Sequence, residues 1–181
     1  IQIRLVGSEM CIRDRSKMLA DKYGKRNVFG VFLFISTLFI LVFYVLSPDS
    51  INLIFGAQIF HGFFYGITIP LLWAMIADVA DYSEWKNNRR ATAIIFSAMM
   101  VGLKLGLSIG GALVASILGR YGYVPNSVGE QTESAILGTK MLVSIFPSIP
   151  FLVAAALLFF YVIDKKMEEK IEQDLLKKRK S

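Results

Sequence analysis

The sequence predicts an all-α membrane protein built on four transmembrane helices, and three observations carry that prediction. The 181 residues are 55% hydrophobic, with a mean hydropathy of +0.55. Only 19% are charged, where a soluble domain carries about a quarter. The apolar residues gather in four blocks, each near or above the ~20 residues a helix needs to cross a bilayer, and the charges lie between the blocks. This pattern excludes a soluble enzyme, a disordered chain and a disulfide scaffold, so no catalytic residue is expected. Cys11 is the one cysteine and His61 the one histidine, which leaves neither an internal disulfide nor a zinc-binding cluster. The net charge of +6 belongs beside a membrane surface. Arginines interleaved with stacking aromatics, as a nucleic-acid site would need, are missing from the polar segments.

The elements follow in order. Residues 1–15, Ile1 to Arg15, have neither the apolar core nor the cleavage site of a signal peptide. Met10-Cys11-Ile12-Arg13-Asp14-Arg15 resembles a translation of ATG TGT ATA AGA GAC AG, a transposon end used in preparing sequencing libraries. The segment therefore reads as a sequencing-adapter artefact, and the natural protein is expected to extend further towards its N-terminus. Residues 16–27 form a polar segment. The first span is 28–46 and carries no charge; the turn Ser47-Pro48-Asp49-Ser50 joins it as a hairpin to the second span, 51–77, also uncharged. Residues 78–90 form a charged loop. The third span, 91–118, contains one charge, Lys104. A longer polar loop leads to the fourth span, 141–163, interrupted by Pro147 and Pro150, and residues 164–181 form a charged tail. Met167, Ile171 and Leu175 recur every four residues in that tail, which reads as a solvated helical extension touching anionic headgroups.

Orientation follows from the loop lysines and arginines. Fourteen lie in the N-terminal segment, the 78–90 loop and the tail; only Arg120 and Lys140 lie on the opposite side. Loops 16–27 and 78–90, and both ends of the chain, are expected in the cytoplasm of a multi-pass inner-membrane or plasma-membrane protein.

Lys104 stands out chemically, because a lysine at mid-span costs about 2.5–3.5 kcal/mol on insertion scales and marks a functional site by default. Ala98, Gly102, Gly106 and Gly110 form a small-residue stripe suited to close helix packing. Lys104 points away from that stripe, on a face with Ser97, Met100 and Ser108. A water-filled cavity suits it better than lipid, with a structural ion pair as the alternative. On the second span Gln58, His61, Tyr65 and Thr68 share an arc of roughly 80°. Each could be satisfied inside a bundle, but four together suggest recognition of a polar solute. Pro70 is expected to break the helical register, so Trp73 is either a ring-stacking residue or an interfacial belt residue. Asp78 and Asp81 share a helical face, while Arg89 and Arg90 open the third span. Carboxylates at one helix end and arginines at the next can latch a cytoplasmic mouth; an ordinary solvated loop is the alternative.

Several stretches carry a family resemblance. Asp78-Val79-Ala80-Asp81-Tyr82-Ser83-Glu84-Trp85-Lys86, then Arg89-Arg90-Ala91-Thr92, Lys104-Leu105-Gly106 and Gly122-Tyr123-Val124-Pro125-Asn126 resemble, in that order, the glycoside–pentoside–hexuronide cation symporters. These are melibiose carrier-like members of the major facilitator superfamily. Leu19 to Arg26 resembles the cytoplasmic loop repeated in each half of that superfamily.

The resemblance spans 17–181. It implies that the four helices are part of the C-terminal six-helix bundle of a major facilitator fold. It further implies that Lys104 links sugar binding to cation coupling, that Asp78, Asp81 and Arg90 serve a cytoplasmic gate, and that Trp73 loosely matches a tryptophan near the sugar. The coupling cation, Na⁺ or H⁺, is expected to bind in an N-terminal half that this chain lacks; no other cofactor and no metal ligand is expected. The expected function is that of a C-terminal fragment of a secondary active transporter, performing cation-coupled symport of a sugar or glycoside by alternating access. Its substrate-binding residues are then Lys104, Trp73, His61, Gln58, Tyr65, Thr68 and Met100, and its gate Asp78, Asp81, Arg89 and Arg90. The alternatives are a non-transporting four-helix scaffold or assembly subunit, and a same-fold carrier of a non-sugar solute.

Overall fold

A computed structural model describes residues 16–47, 50–89, 91–125 and 131–180. The adapter reading of 1–15, the Pro48-Asp49 turn and Arg90 lie outside the described residues. All regular structure within them is helical: α1 (16–23), α2 (Lys25–Val45), α3 (Ile51–Asn87), α4 (Thr92–Arg120), α5 (Glu133–Val143), α6 (Ile145–Leu157) with a 3-10 turn over Leu158–Phe160, and α7 (Lys165–Lys180). Four helical segments are long and apolar enough to cross a membrane: Lys25–Val45, Ile51–Asn87, Thr92–Arg120 and Glu133–Phe160.

The α2–α3 hairpin is the best-packed unit. Phe32 meets Phe64, and Phe39 stacks between Phe60 and Phe64, with ring centroids 5.5–5.9 Å apart. Partners rise on one helix as they fall on the other, so the pair is antiparallel. Ala20 of α1, Val28 of α2, and Ile67 and Leu71 of α3 form a buried cluster against which Leu19, Phe29 and Phe32 pack. Gly24 has φ +84, a left-handed value that favours glycine, and it lets the chain turn from α1 into α2.

Three expectations about helix extents are corrected. The 16–27 segment, expected as a loop, is helical over 16–23 and again from Lys25 onward, with only Gly24 between. The 78–90 segment, expected as a loop, is helical through Asn87, and Asn88 ends the helix in a left-handed conformation (φ 53, ψ 23). Pro70, expected to break the register, sits inside a continuous α3 of 37 residues. At about 1.5 Å per residue α3 is roughly 55 Å long, well beyond the ~30 Å hydrocarbon core. Its polar last turns therefore stand outside the membrane, where Trp85 and Asp78 find side-chain partners on other helices. Asn87 and Asn88, with low helix propensity, then let it stop.

The fourth span begins earlier than its apolar run, at Glu133, because Thr132 caps α5 by accepting a hydrogen bond from the Ala135 N–H at 3.2 Å. It is interrupted at Ser144, just before Pro147 and Pro150, two residues that cannot donate backbone hydrogen bonds. Ser144 and Ser148 are buried there, their hydroxyls donating to the carbonyls of Lys140 (2.6 Å) and Ser144. The tail is helical, as expected, but its apolar stripe is not solvated. α7 packs on the end of α3, and its stripe residues Ile171 and Leu175 are buried.

Helix α4 contrasts with all of these. No residue along its 29 is buried. It is held mainly by stacking of Phe96 on Trp73 of α3 (6.3 Å) and by Tyr121, just beyond its C-terminus, against Gly138 of α5.

Candidate functional site

The residues expected to meet a solute separate into two groups. On α3 the arc turns towards α2 and α6. The His61 Nδ1 lies 2.9 Å from the Ser36 hydroxyl and 3.3 Å from its carbonyl. Thr68 is buried and donates to the Tyr65 carbonyl at 2.6 Å. Half-buried His61 thus spends its Nδ1 on α2, and buried Thr68 spends its hydroxyl within α3, as buried polar groups must. Tyr65 stacks between His61 and Phe151 of α6, both centroids at 5.7 Å. Tyr65 and Gln58 remain exposed.

The second group lies on the α3–α4 side. Trp73 is 38% exposed and stacks on Phe96. Phe96, Met100 and Lys104 follow at four-residue intervals and fall within roughly 80° on α4, with Lys104 about 12 Å along the axis from Phe96. Met100 and Lys104 are exposed, and among the described residues Lys104 has no hydrogen-bond or ion-pair partner. The small-residue stripe is also unmet: a Cβ placed on Gly102, Gly106 or Gly110 would find no neighbour within 4 Å. An apolar helix thus carries one unpaired ammonium and an aromatic–thioether face, all on a surface that the described residues leave open.

The charged end is built differently. Lys25, at the start of α2, donates to both carboxylate oxygens of Asp78, at 2.7 and 2.9 Å, and lies 2.8 Å from Glu168 of α7. Asp81 and Glu172 join these three around a cleft of about 350 Å³. Trp85 donates its indole N–H to Asp174 at 3.0 Å, Lys170 lies over the Trp85 ring, and Lys165 donates to the Asp21 carbonyl at 2.6 Å. Tyr161 donates to the Met75 carbonyl at 3.3 Å.

The expected latch between the carboxylates and Arg89 is not formed: Arg89 is exposed, and no ion pair joins it to Asp78 or Asp81. Asp78 takes Lys25 instead. Sequence reasoning missed Lys25 and Glu168; for Lys25, hairpin topology carried the signal. In an antiparallel pair, the start of one span and the end of the next lie at the same level.

Comparisons with known proteins place this architecture. The chain is 34% identical over 157 residues to an uncharacterised 29.9 kDa protein of Pseudescherichia vulneris, covering 86% of this chain and 57% of that protein. It is 31% identical over 152 residues to the glucuronide carrier protein homolog of Escherichia coli, covering 83% of this chain and 33% of the relative. It is 38% identical over 113 residues to the isoprimeverose transporter of Lactiplantibacillus pentosus, covering 62% and 23%. The chain thus spans from about a quarter to somewhat over half of the lengths of these relatives. A family model described as MFS/sugar transport protein matches residues 16–165, the region holding all four apolar segments. This transmembrane chain belongs to the MFS/sugar transport protein family.

Proposed function

We propose that the chain is the C-terminal part of a secondary carrier that moves a sugar or glycoside together with Na⁺ or H⁺, by alternating access and without covalent chemistry. The observation that carries this reading is Lys104, an unpaired charge midway along an apolar helix whose faces the described residues leave open. A charge at that depth needs a polar cavity or a carboxylate, and the remaining helices of a longer carrier would supply either. Trp73 and Met100 would offer the ring and thioether surface for the apolar face of a sugar, with Gln58 and Tyr65 as further polar contacts. His61 would tie α3 to α2 through Ser36, and Thr68 would sit buried on α3 with its hydroxyl turned to the Tyr65 carbonyl. The relatives' names support a sugar or glycoside as the cargo, and the partial coverage of their lengths supports a longer carrier. The coupling cation would bind on helices outside this chain. Asp78, Asp81, Arg89 and Arg90 would gate a cytoplasmic mouth, with Lys25 and Glu168 as added members, in a cytoplasmic membrane with both ends of the chain inside.

The test is Lys104→Ala in the full-length carrier, with membrane abundance and gradient-driven uptake measured on the same preparation. Accumulation should be abolished at unchanged abundance. Lys104→Arg should also fail, because a planar fork does not replace a compact ammonium, while Lys86→Ala should leave transport nearly intact. Normal accumulation per molecule in Lys104→Ala would overturn the reading. Orientation has its own test: a cysteine at Ser50 should react with an impermeant thiol reagent from outside intact cells, and one at Ser83 should not.

A further inference from the structure

An open groove of about 560 Å³ runs between α2 and α6, lined by Gly30, Val31, Phe34, Ile35, Leu152 and Ala156 among others. Its lining is apolar except at one end, where Arg26 and Asn27 stand. From Arg26 to Ile35 is nine residues, about 14 Å along α2, which is half of a ~30 Å hydrocarbon core. The groove therefore covers the depth of one leaflet, with its polar end at headgroup level.

Arg26 is distinctive there. Its neighbour Lys25 is paired with two carboxylates, but among the described residues no carboxylate pairs with Arg26. It is half-buried, and one guanidinium nitrogen donates to the Phe159 carbonyl at 3.1 Å. A guanidinium has five N–H donors, so most remain available at the mouth of an apolar trough. The trough is narrow at its floor: a Cβ on Gly30 would lie 3.3 Å from a methyl of Leu158. A ligand that satisfies this arrangement has an anionic oxygen head and hydrocarbon chains. An apolar helix filling the same space would leave the guanidinium with only the Phe159 carbonyl as acceptor and no counter-charge, at the cost of desolvating the remaining N–H groups.

We infer that the α2–α6 groove binds one anionic diacyl phospholipid, with its phosphate on Arg26 and an acyl chain along Gly30 to Ile35. Basic positions between membrane helices suit such headgroups. The site is independent of sugar transport; it needs the helices to sit in the bilayer and the groove to face lipid in the full-length protein.

The experiment uses the full-length carrier in mild detergent. It is irradiated with phosphatidylglycerol bearing a diazirine in its acyl chain, or with phosphatidylcholine bearing the same chain, and the labelled peptides are mapped by mass spectrometry. Phosphatidylglycerol should label residues 30–35 and 152–156 about fivefold more than phosphatidylcholine, the factor expected for one cationic contact. Arg26→Gln should erase that preference and Arg26→Lys should keep most of it. Ala156→Phe, which fills the trough, should suppress labelling by both lipids. If Arg26→Gln does not fold, the wild-type lipid ratio and Ala156→Phe decide alone. Equal labelling by the two lipids would show ordinary boundary lipid and overturn the site. So would an unlabelled groove accompanied by a disulfide between Val31→Cys residues of two copies, which would make a second copy the occupant.

Discussion

Helices α2 and α4 are both apolar enough to span a membrane, yet they are used in opposite ways. Helix α2 buries Val28, Leu33, Ser36, Thr37 and Ile40 and interleaves its phenylalanines with those of α3. Among the described residues helix α4 buries nothing, carries a stripe of glycines whose added Cβ atoms would meet nothing within 4 Å, and holds a lysine without an ion-pair partner. Apolarity therefore decides that a helix enters the bilayer but not what it packs against. Lipid tails are as apolar as leucine, so association rests on shape and polar contacts. Helix α2 has found those contacts within the described chain. Helix α4 has the equipment for them and few partners among the described residues.

The contrast can be broken by substitution. Phe64→Ala removes a half-buried ring that meets Phe32, Phe39 and Phe63, and should destabilise the chain by about 2 kcal/mol, below the range for a fully buried phenylalanine because the ring is partly exposed and lipid replaces water. Leu107→Ala on α4, 70% exposed, should stay within about 0.5 kcal/mol. Unfolding titrations in detergent measure both, and equal costs would show that α4 is packed after all.

Gly138 tests the contact at one end of α4. A Cβ there would sit 2.5 Å from the Tyr121 ring, so Gly138→Val should force Tyr121 away and cost about 1–3 kcal/mol. A cysteine pair bridging α4 and α5 should then crosslink more slowly. An unchanged crosslinking rate would mean that Tyr121 is not the anchor.

His61 sharpens the difference between packing and solute contact. His61→Ala should cost about 1–2 kcal/mol in stability through loss of the Ser36 contact, with sugar affinity of the intact carrier unchanged. A tenfold loss of affinity at full stability would return His61 to the substrate-facing set. The smallest effect is expected at the charged end. Glu168→Gln weakens one part-exposed pair with Lys25, so it should cost less than about 1 kcal/mol and appear mainly as faster trypsin cleavage within α7. Unchanged cleavage would mean that Ile171, Leu175 and the Trp85–Asp174 bond hold the tail without the ion pair.

The sequence by itself determined the membrane class, the four apolar segments and the family, because each depends on local composition or an ordered set of motifs. It also singled out Lys104, since a lone charge in an apolar run is visible without coordinates. Tertiary structure alone decided that His61 faces Ser36, that Trp73 and Lys104 share the α4 side, and that Asp78 takes Lys25 rather than Arg89. It also carried α3 through Pro70 and the charged turns beyond, and folded α7 back onto them. Helical periodicity tells which residues share a face. Which helix meets that face depends on residues far apart in sequence, brought together when two spans pack antiparallel and their ends reach the same level.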